Sequence, residues 1–325
     1  GGRSKGIQLL ESFLNNRSLD YKTKLSSPLT AYDSCSRLSP YISHGSLSMR
    51  EVVQATRARI KILKTENTAI SKSWLASLRS FYSRLHWHCH FIQKLEDNPL
   101  FEINNVHSGY NGMRSEVDVK IQLFKPWSTG QTGFPFVDAC MRALIDTGWI
   151  NFRMRAMLQS FASYHLWIHW RFSGLHLARL LTDYEPGIHW NQAQMQSGTT
   201  GINTVRIYNP VKQSMDQDPT GRFIRRWVPE LASVDDAFIH QPWQMKIKQQ
   251  ETNNCIIGTN YPGPIVDHVE VARNARAIVY GRRKNANFVA ERQIIQEKYG
   301  SRKSGIAQNK RRQSKPKDIE NQMSF

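Results

Sequence analysis

The stretch SKSWLASLRSFYSRLHWHCHFIQKLED, residues 71–97, repeats its apolar side chains at the 3.6-residue helical period over more than 20 positions. A second segment, FPFVDACMRALIDTGW, begins on Pro135, and NFRMRAMLQSFASYHLWIHWRF and GLHLARLLTDY follow with the same period. No alternating strand pattern survives beside them, so the sequence predicts an all-α fold in which helices bury their apolar stripes against one another. Nearer the start, Ile7, Leu10, Phe13 and Leu14 keep helical spacing, and KTKLSSPLTAYDSCSRLSP then breaks it with Pro and Ser, predicting a long loop. Ser48 with Glu51 three residues on forms a capping box, so a helix should start near residue 48. Residues 100–133 read as mostly irregular, and from about 301 the polar, basic SRKSGIAQNKRRQSKPKDIENQMSF is expected to be disordered.

Forty per cent hydrophobic residues and nine Trp argue against disorder for the bulk of the chain. No run of about 18 uncharged apolar residues and no signal-peptide pattern is visible, which predicts a soluble intracellular protein with no membrane partner. The net charge is +18, and residues 271–325 hold 14 basic against 4 acidic side chains, so over half of the excess sits in the last sixth of the chain. A polyanion is the partner such a balance suggests. Cys35, Cys89, Cys140 and Cys255 stand far apart with no CxxC pair, and are expected to be buried reduced thiols rather than a zinc site. No GxGxxG and no GxxxxGK[ST] occurs, so neither a dinucleotide fold nor a P-loop is signalled.

His86 and His90 stand i, i+4 on one helix face around Trp87 and His88, but the companion glutamate of a zinc helix is absent, and hydrogen bonding to ligand, backbone or solvent is the better reading. In CSRLSP, small hydroxyls and one Arg share a loop, a composition that can wrap a phosphate with backbone N–H groups and a guanidinium; helix capping explains Ser36 and Ser39 equally well. Trp149, Trp167, Trp170, Trp190 and Trp227 are dense enough for core packing to account for most of them. Arg142, Arg153, Arg155, Arg206, Arg222, Arg225 and Arg226 interleave with these rings, a mixture suited to phosphates and stacked bases, although solvation of the surface would account for about half of them.

Four blocks in order carry a resemblance: CSRLSPYISHGSLS, WSTGQTGFPFVDACMRALIDTGW, RIYNPVKQSMDQDPTGRFIRRWVPEL and YPGPIVDH. Together they resemble the helical FAD-binding domain of the DNA photolyase and cryptochrome family. The resemblance spans about residues 7–285 and implies non-covalent FAD in a bent form and no metal. Residues 1–285 would form that domain and 286–325 a basic extension. The α/β antenna domain that precedes it in the family is missing from this sequence, and any antenna chromophore would sit there; the chain therefore reads as one domain of a longer protein.

Carried over residue by residue, the resemblance gives Tyr21 and the loop Cys35, Ser36, Arg37, Leu38 and Ser39 to the flavin phosphates, with Cys35 in place of the usual Thr. Arg84 and His88 occupy the Glu and Arg positions of the family's ELxWRE helix, and Trp87 keeps the tryptophan that packs against a lesion. After TGW the family reads a polar residue and then HNRxRM; here Arg153 and Arg155 are retained, Phe152 stands where Asn is usual, and Asn151 at the first position is implied, with Arg155, at the cofactor. Asp183 is implied as the carboxylate paired with Arg155, and Gly187 falls at or near the Asn that faces flavin N5. Trp170 and Trp190 match the middle and inner members of the tryptophan electron chain; no Trp stands at the outer position, for which Trp167 or Trp149 could substitute.

The resemblance implies a light-driven lyase repairing cyclobutane pyrimidine dimers in damaged DNA, with Arg142, Arg153, Arg206, Arg222, Arg225 and Arg226 on the DNA. The (6-4) photoproduct is disfavoured, because Asn151, Phe152 and Ala156 occupy the region of the histidine pair used for it. The alternative is a blue-light receptor whose flavin photoreduction alters contacts with a protein partner, and a third is a flavoprotein without photochemistry. The expected location is the cytoplasm, associated with the nucleoid, or the nucleus if the source is eukaryotic.

Overall fold

The computed structural model describes residues 1–66 and 68–300. The helices in chain order are α1 (Gly2–Asn15), α2 (Tyr21–Lys24), α3 (Pro28–Ser34), α4 (Ser39–Ser43), α5 (Met49–Glu66), α6 (Ala69–Asp97), α7 (Ile121–Thr129) and α8 (Pro135–Thr147). They continue with α9 (Phe152–Ser160), α10 (Trp170–Leu180), α11 (Pro186–Ser197), α12 (Pro210–Gln217), α13 (Arg222–Trp227), α14 (Ile247–Thr252), α15 (His268–Arg282) and α16 (Ala286–Tyr299). Among the described residues there is no strand, only an isolated bridge between Ile257 and Tyr261. The all-α expectation is met. No described helix is long and apolar enough to cross a membrane.

Local signals set most helix ends. The Ser48 amide donates to the Glu51 carboxylate (2.9 Å), the Glu51 amide donates back to Ser48 Oγ (3.1 Å), and α5 starts at Met49. Thr68 and Ser71 cap α6 reciprocally, and Gly148, at φ 67°, ends α8 in the left-handed conformation that costs a glycine nothing. Helix α8 is buried all round through Phe136, Val137, Ala139, Cys140, Met141 and Leu144, and forms the centre of the larger core. A second core joins Phe13, Leu38, Leu47, Val52, Leu63 and Leu78 from α1 and α4 to α6.

Three expectations need correction. The loop foreseen before residue 40 is folded into α2, α3 and α4, because Ser27 caps a helix whose first residue is Pro28. The stretch read as one helix over 151–172 breaks at 166–169: after a π-turn at Phe161–His165, Trp167 takes φ 55° and His169 caps α10 by accepting from the Arg171 amide. The four thiols are free but not uniformly buried, for Cys140 and Cys255 lie inside, Cys35 is half-buried and Cys89 faces solvent. Helix α16 lies against the body through Phe288, Ile295 and Tyr299. The tail expected to be disordered from 301 lies outside the described residues.

Candidate functional site

The loop Cys35–Ser39 leaves α3 and enters α4 with Arg37 left-handed (φ 57°) and Leu38 right-handed (φ −89°, ψ −12°). That alternation turns successive N–H groups to one side, the geometry of an anion nest. Arg17 holds the loop from behind, donating to the carbonyls of Cys35, Ser36 (3.2 Å) and Leu9 (2.9 Å). Sequence reading missed Arg17; the seventeen residues between it and Cys35 carry no periodic signal. Leu38 is buried in the second core, while the Arg37 guanidinium lies over the Tyr32 ring at 4.1 Å. Burial, opposed by the charges of Arg17, Arg155 and Arg37, pushes the Cys35 thiol up to about 11.

Arg155 and Asp183 come together as a fork on a carboxylate, with both N–H···O distances 2.8 Å, and Arg155 Nε donates to the Ile150 carbonyl at 2.6 Å. The Asp183 side chain is 2% exposed and that of Arg155 26%. Burial alone would push the Asp183 carboxyl up; the Arg155 charge and its hydrogen bonds, helped by the Ser39 hydroxyl, outweigh it and hold the carboxyl below its ordinary value. His189 feels both members of the pair, and burial lowers its imidazole to about 4, so it is neutral at physiological pH.

Helix α6 supplies the facing wall. Arg84 lies over the Phe152 ring at 6.0 Å and beside Tyr21, whose phenol burial pushes up to about 12. His88 faces the Glu185 side, its imidazole lowered by burial. Arg37 Nε, His88 Nδ1, Asn151 Oδ1 and Arg153 Nε belong to the buried polar atoms without a partner among the described residues, a set that also includes atoms of Arg114, Trp127, Gln159, Tyr164 and His165. Such atoms are costly unless a ligand meets them, and the first four belong to residues foreseen at the cofactor or DNA. Among the described residues no three His, Cys, Asp or Glu side chains gather as a metal would require.

Trp87 is 39% exposed, whereas Trp127, Trp170 and Trp190 are buried. It lines a cavity of about 170 Å³ with Phe91, Lys94, Met195, Asn203 and Tyr299. Lys94 has no carboxylate within salt-bridge distance among the described residues, and burial lowers its ammonium to about 8.

Other foreseen residues sit differently. Gly187 is closed against α6: a Cβ there would lie 2.7 Å from Ile92 Cα, so its missing side chain serves helix packing rather than an open pocket. Gly187→Ala is expected to destabilise the fold by about 1–3 kcal/mol by wedging α11 from α6, to be read by denaturant unfolding; an unchanged midpoint would refute the contact. Arg142 is held by Glu230 (2.8 and 2.9 Å) and Arg225 by Asp236 (2.7 Å), so neither is a free cation. Arg206, Arg222 and Arg226 are exposed and Arg153 half-buried. Trp170 and Trp190 meet edge to face at 5.7 Å, while Trp149 meets the Tyr32 ring at 6.3 Å and Trp167 lies under Arg114.

A family model described as the FAD-binding domain of DNA photolyase matches residues 81–280. The chain belongs to the DNA photolyase and cryptochrome family. The deoxyribodipyrimidine photo-lyase of Alkalihalophilus pseudofirmus is 33% identical over 286 residues, covering 86% of this chain and 56% of that protein. Cryptochrome-2 of Arabidopsis thaliana is 32% identical over 295 residues, covering 89% of this chain and 46% of that one. Among solved structures, a class III photolyase from Agrobacterium tumefaciens superposes with a TM-score of 0.77 at 27% identity, over 88% of this chain and 57% of the other. An archaeal photolyase from Sulfolobus tokodaii, solved with two FAD molecules, gives 0.69 at 28% identity over 86% and 56%. The chain spans about half the length of the curated relatives it matches. FAD is the cofactor of this photolyase-family domain. The nest at 37–39, the Arg155–Asp183 fork and the unpartnered polar atoms of Arg37, His88, Asn151 and Arg153 suit a cofactor with a diphosphate and a polar ring system.

Proposed function

We propose that this chain is the flavin-holding part of a light-driven lyase that reverses cyclobutane pyrimidine dimers in DNA. The observation that carries this reading is Trp87, a part-exposed aromatic ring on the flavin-site helix α6, flanked by Phe91 and by Lys94, which has no carboxylate partner among the described residues. FAD supplies the light-driven one-electron chemistry. Cys35, Ser36, Arg37, Leu38, Ser39 and Tyr21 hold its phosphate side. Asp183 fixes the Arg155 guanidinium in one plane, so that its N–H edge is pre-oriented for the isoalloxazine, with Asn151, Arg84 and His88 around it. A dimer stacks poorly in the duplex and is cheaper to extrude than a normal pair. Trp87 stacks on the extruded bases while Lys94 meets a phosphate, and Arg153, Arg206, Arg222 and Arg226 follow the backbone.

One observation favours the receptor reading instead: Gln296, Tyr299 and Gly300 of the C-terminal region stand at the rim of the Trp87 cavity and narrow it. Its volume is below the roughly 300–1,000 Å³ usual for ligand pockets. Illumination of the reduced, FAD-loaded protein with dimer-bearing single-stranded DNA decides between them. Repair predicts light-dependent recovery of thymine; flavin photoreduction with no thymine recovered would leave the receptor.

A further inference from the structure

The Trp170–Trp190 pair has a polar exit at Trp190 that neither motif nor periodicity marks. Trp190 donates its Nε1–H to the Tyr184 hydroxyl at 3.1 Å, and Tyr184 is half-buried, reaching solvent where Trp170 and Trp190 do not. His189 packs edge-on against both, with ring centroids 4.9 Å from Trp190 and 5.3 Å from Tyr184. At the Trp170 side, Trp170 donates to Asn105 Oδ1 at 2.8 Å, and the buried Arg114 guanidinium lies over the Trp167 ring at 4.5 Å. Burial lowers Arg114 only to about 10, so it stays charged at neutral pH, and its charge also reaches His169 beside Trp170.

An electron hole created near the Arg155–Asp183 pair therefore meets opposite fields on its two sides. Positive charge on Trp167 would face Arg114 through a medium that screens poorly. Around Tyr184 the charged neighbours are instead the carboxylates of Glu102 and Glu185. Burial, then these carboxylates, raise the phenol, so it is protonated at rest and has a proton to lose on oxidation.

We propose that Tyr184 is the terminal electron donor of this domain, taking the place of an outer tryptophan. The relay rests on the reading above that FAD held here supplies light-driven one-electron chemistry; in its oxidised form under light FAD would supply the oxidant, and Trp190 would give up one electron to it and become a radical cation. Tyr184 returns one electron to Trp190 and releases its phenolic proton to Glu185, Glu102 or water, so a neutral tyrosyl radical remains while Trp190 is restored. Loss of the proton to solvent slows the return of the electron.

The test is electron paramagnetic resonance of the FAD-loaded, oxidised full chain, trapped under blue light, with Tyr184→Phe alongside and a parent sample carrying ring-deuterated tyrosine. In the parent a neutral tyrosyl spectrum that narrows on tyrosine deuteration is expected. Tyr184→Phe should retain FAD, lose that spectrum, and lower the yield of flavin photoreduction severalfold. A parent spectrum that is tryptophanyl and insensitive to tyrosine deuteration would overturn the relay while leaving flavin photochemistry standing. A tyrosyl spectrum that persists in Tyr184→Phe would place the donor at another tyrosine and overturn it equally. Flavin held but no radical and no photoreduction in the parent would overturn the photochemical reading and the relay together.

Discussion

Asp183→Ala is expected to release FAD and to lower folding stability by about 3 kcal/mol. The carboxylate is almost wholly buried and meets Arg155 with two bonds of 2.8 Å, so its removal strands a guanidinium whose other anchor is the Ile150 carbonyl. Breaking such a pair typically costs about 3–5 kcal/mol. The low end applies because Arg155 keeps 26% of its side-chain surface in water. A melting temperature lower by roughly 5–10 °C should accompany the loss of flavin absorbance. The pH dependence has a defined sign. The Asp183 carboxyl is held below its ordinary value in the folded chain, so its contribution is complete above the unfolded value of about 3.9 and is lost as pH falls through the lower folded value. The gap between parent and Asp183→Asn should thus be constant above about pH 5 and close in acid. A variant with full flavin occupancy and an unchanged melting point would refute the assignment.

Trp87→Ala should weaken binding of dimer-bearing DNA by about 1–3 kcal/mol, roughly 5- to 150-fold, because base stacking on an aromatic face is worth that much per base. FAD should stay bound and stability change by less than about 1 kcal/mol, since the ring is 39% exposed and lies against Phe91 and His90 rather than inside a core. Trp127→Ala is the control: that ring is fully buried, and its truncation should cost about 3–5 kcal/mol whether or not DNA is present. Affinity for the lesion and melting temperature measured on both variants separate stacking from packing. Lesion affinity unchanged in Trp87→Ala would remove Trp87 from the pocket.

The sequence by itself determined the class of fold, because helical period, the Ser48–Glu51 cap and the Gly148 stop are relations among residues three to seven apart and act wherever the chain goes. The four motif blocks carried the phosphate loop and the family resemblance, and through that resemblance implied the Arg155–Asp183 pair, which lies outside the blocks and which the structure joins across 28 residues. What periodicity could not register were partners brought up from elsewhere. The helix over 151–172 breaks where Trp167 turns to lie under Arg114, fifty-three residues earlier, and an apolar count sees no reason for a stop there. Arg142 looks like any basic residue until Glu230 arrives from beyond α13 to neutralise it, and Gly187 looks like a pocket residue until Ile92 closes on it. Trp87 and Trp127 are the same side chain on helices of similar pattern, yet one is left at the surface and the other sealed in the core. Local propensity fixes which backbone geometry a segment prefers; which charges are paired, which rings are covered and which polar atoms stay free is fixed only when distant segments compete for the same space.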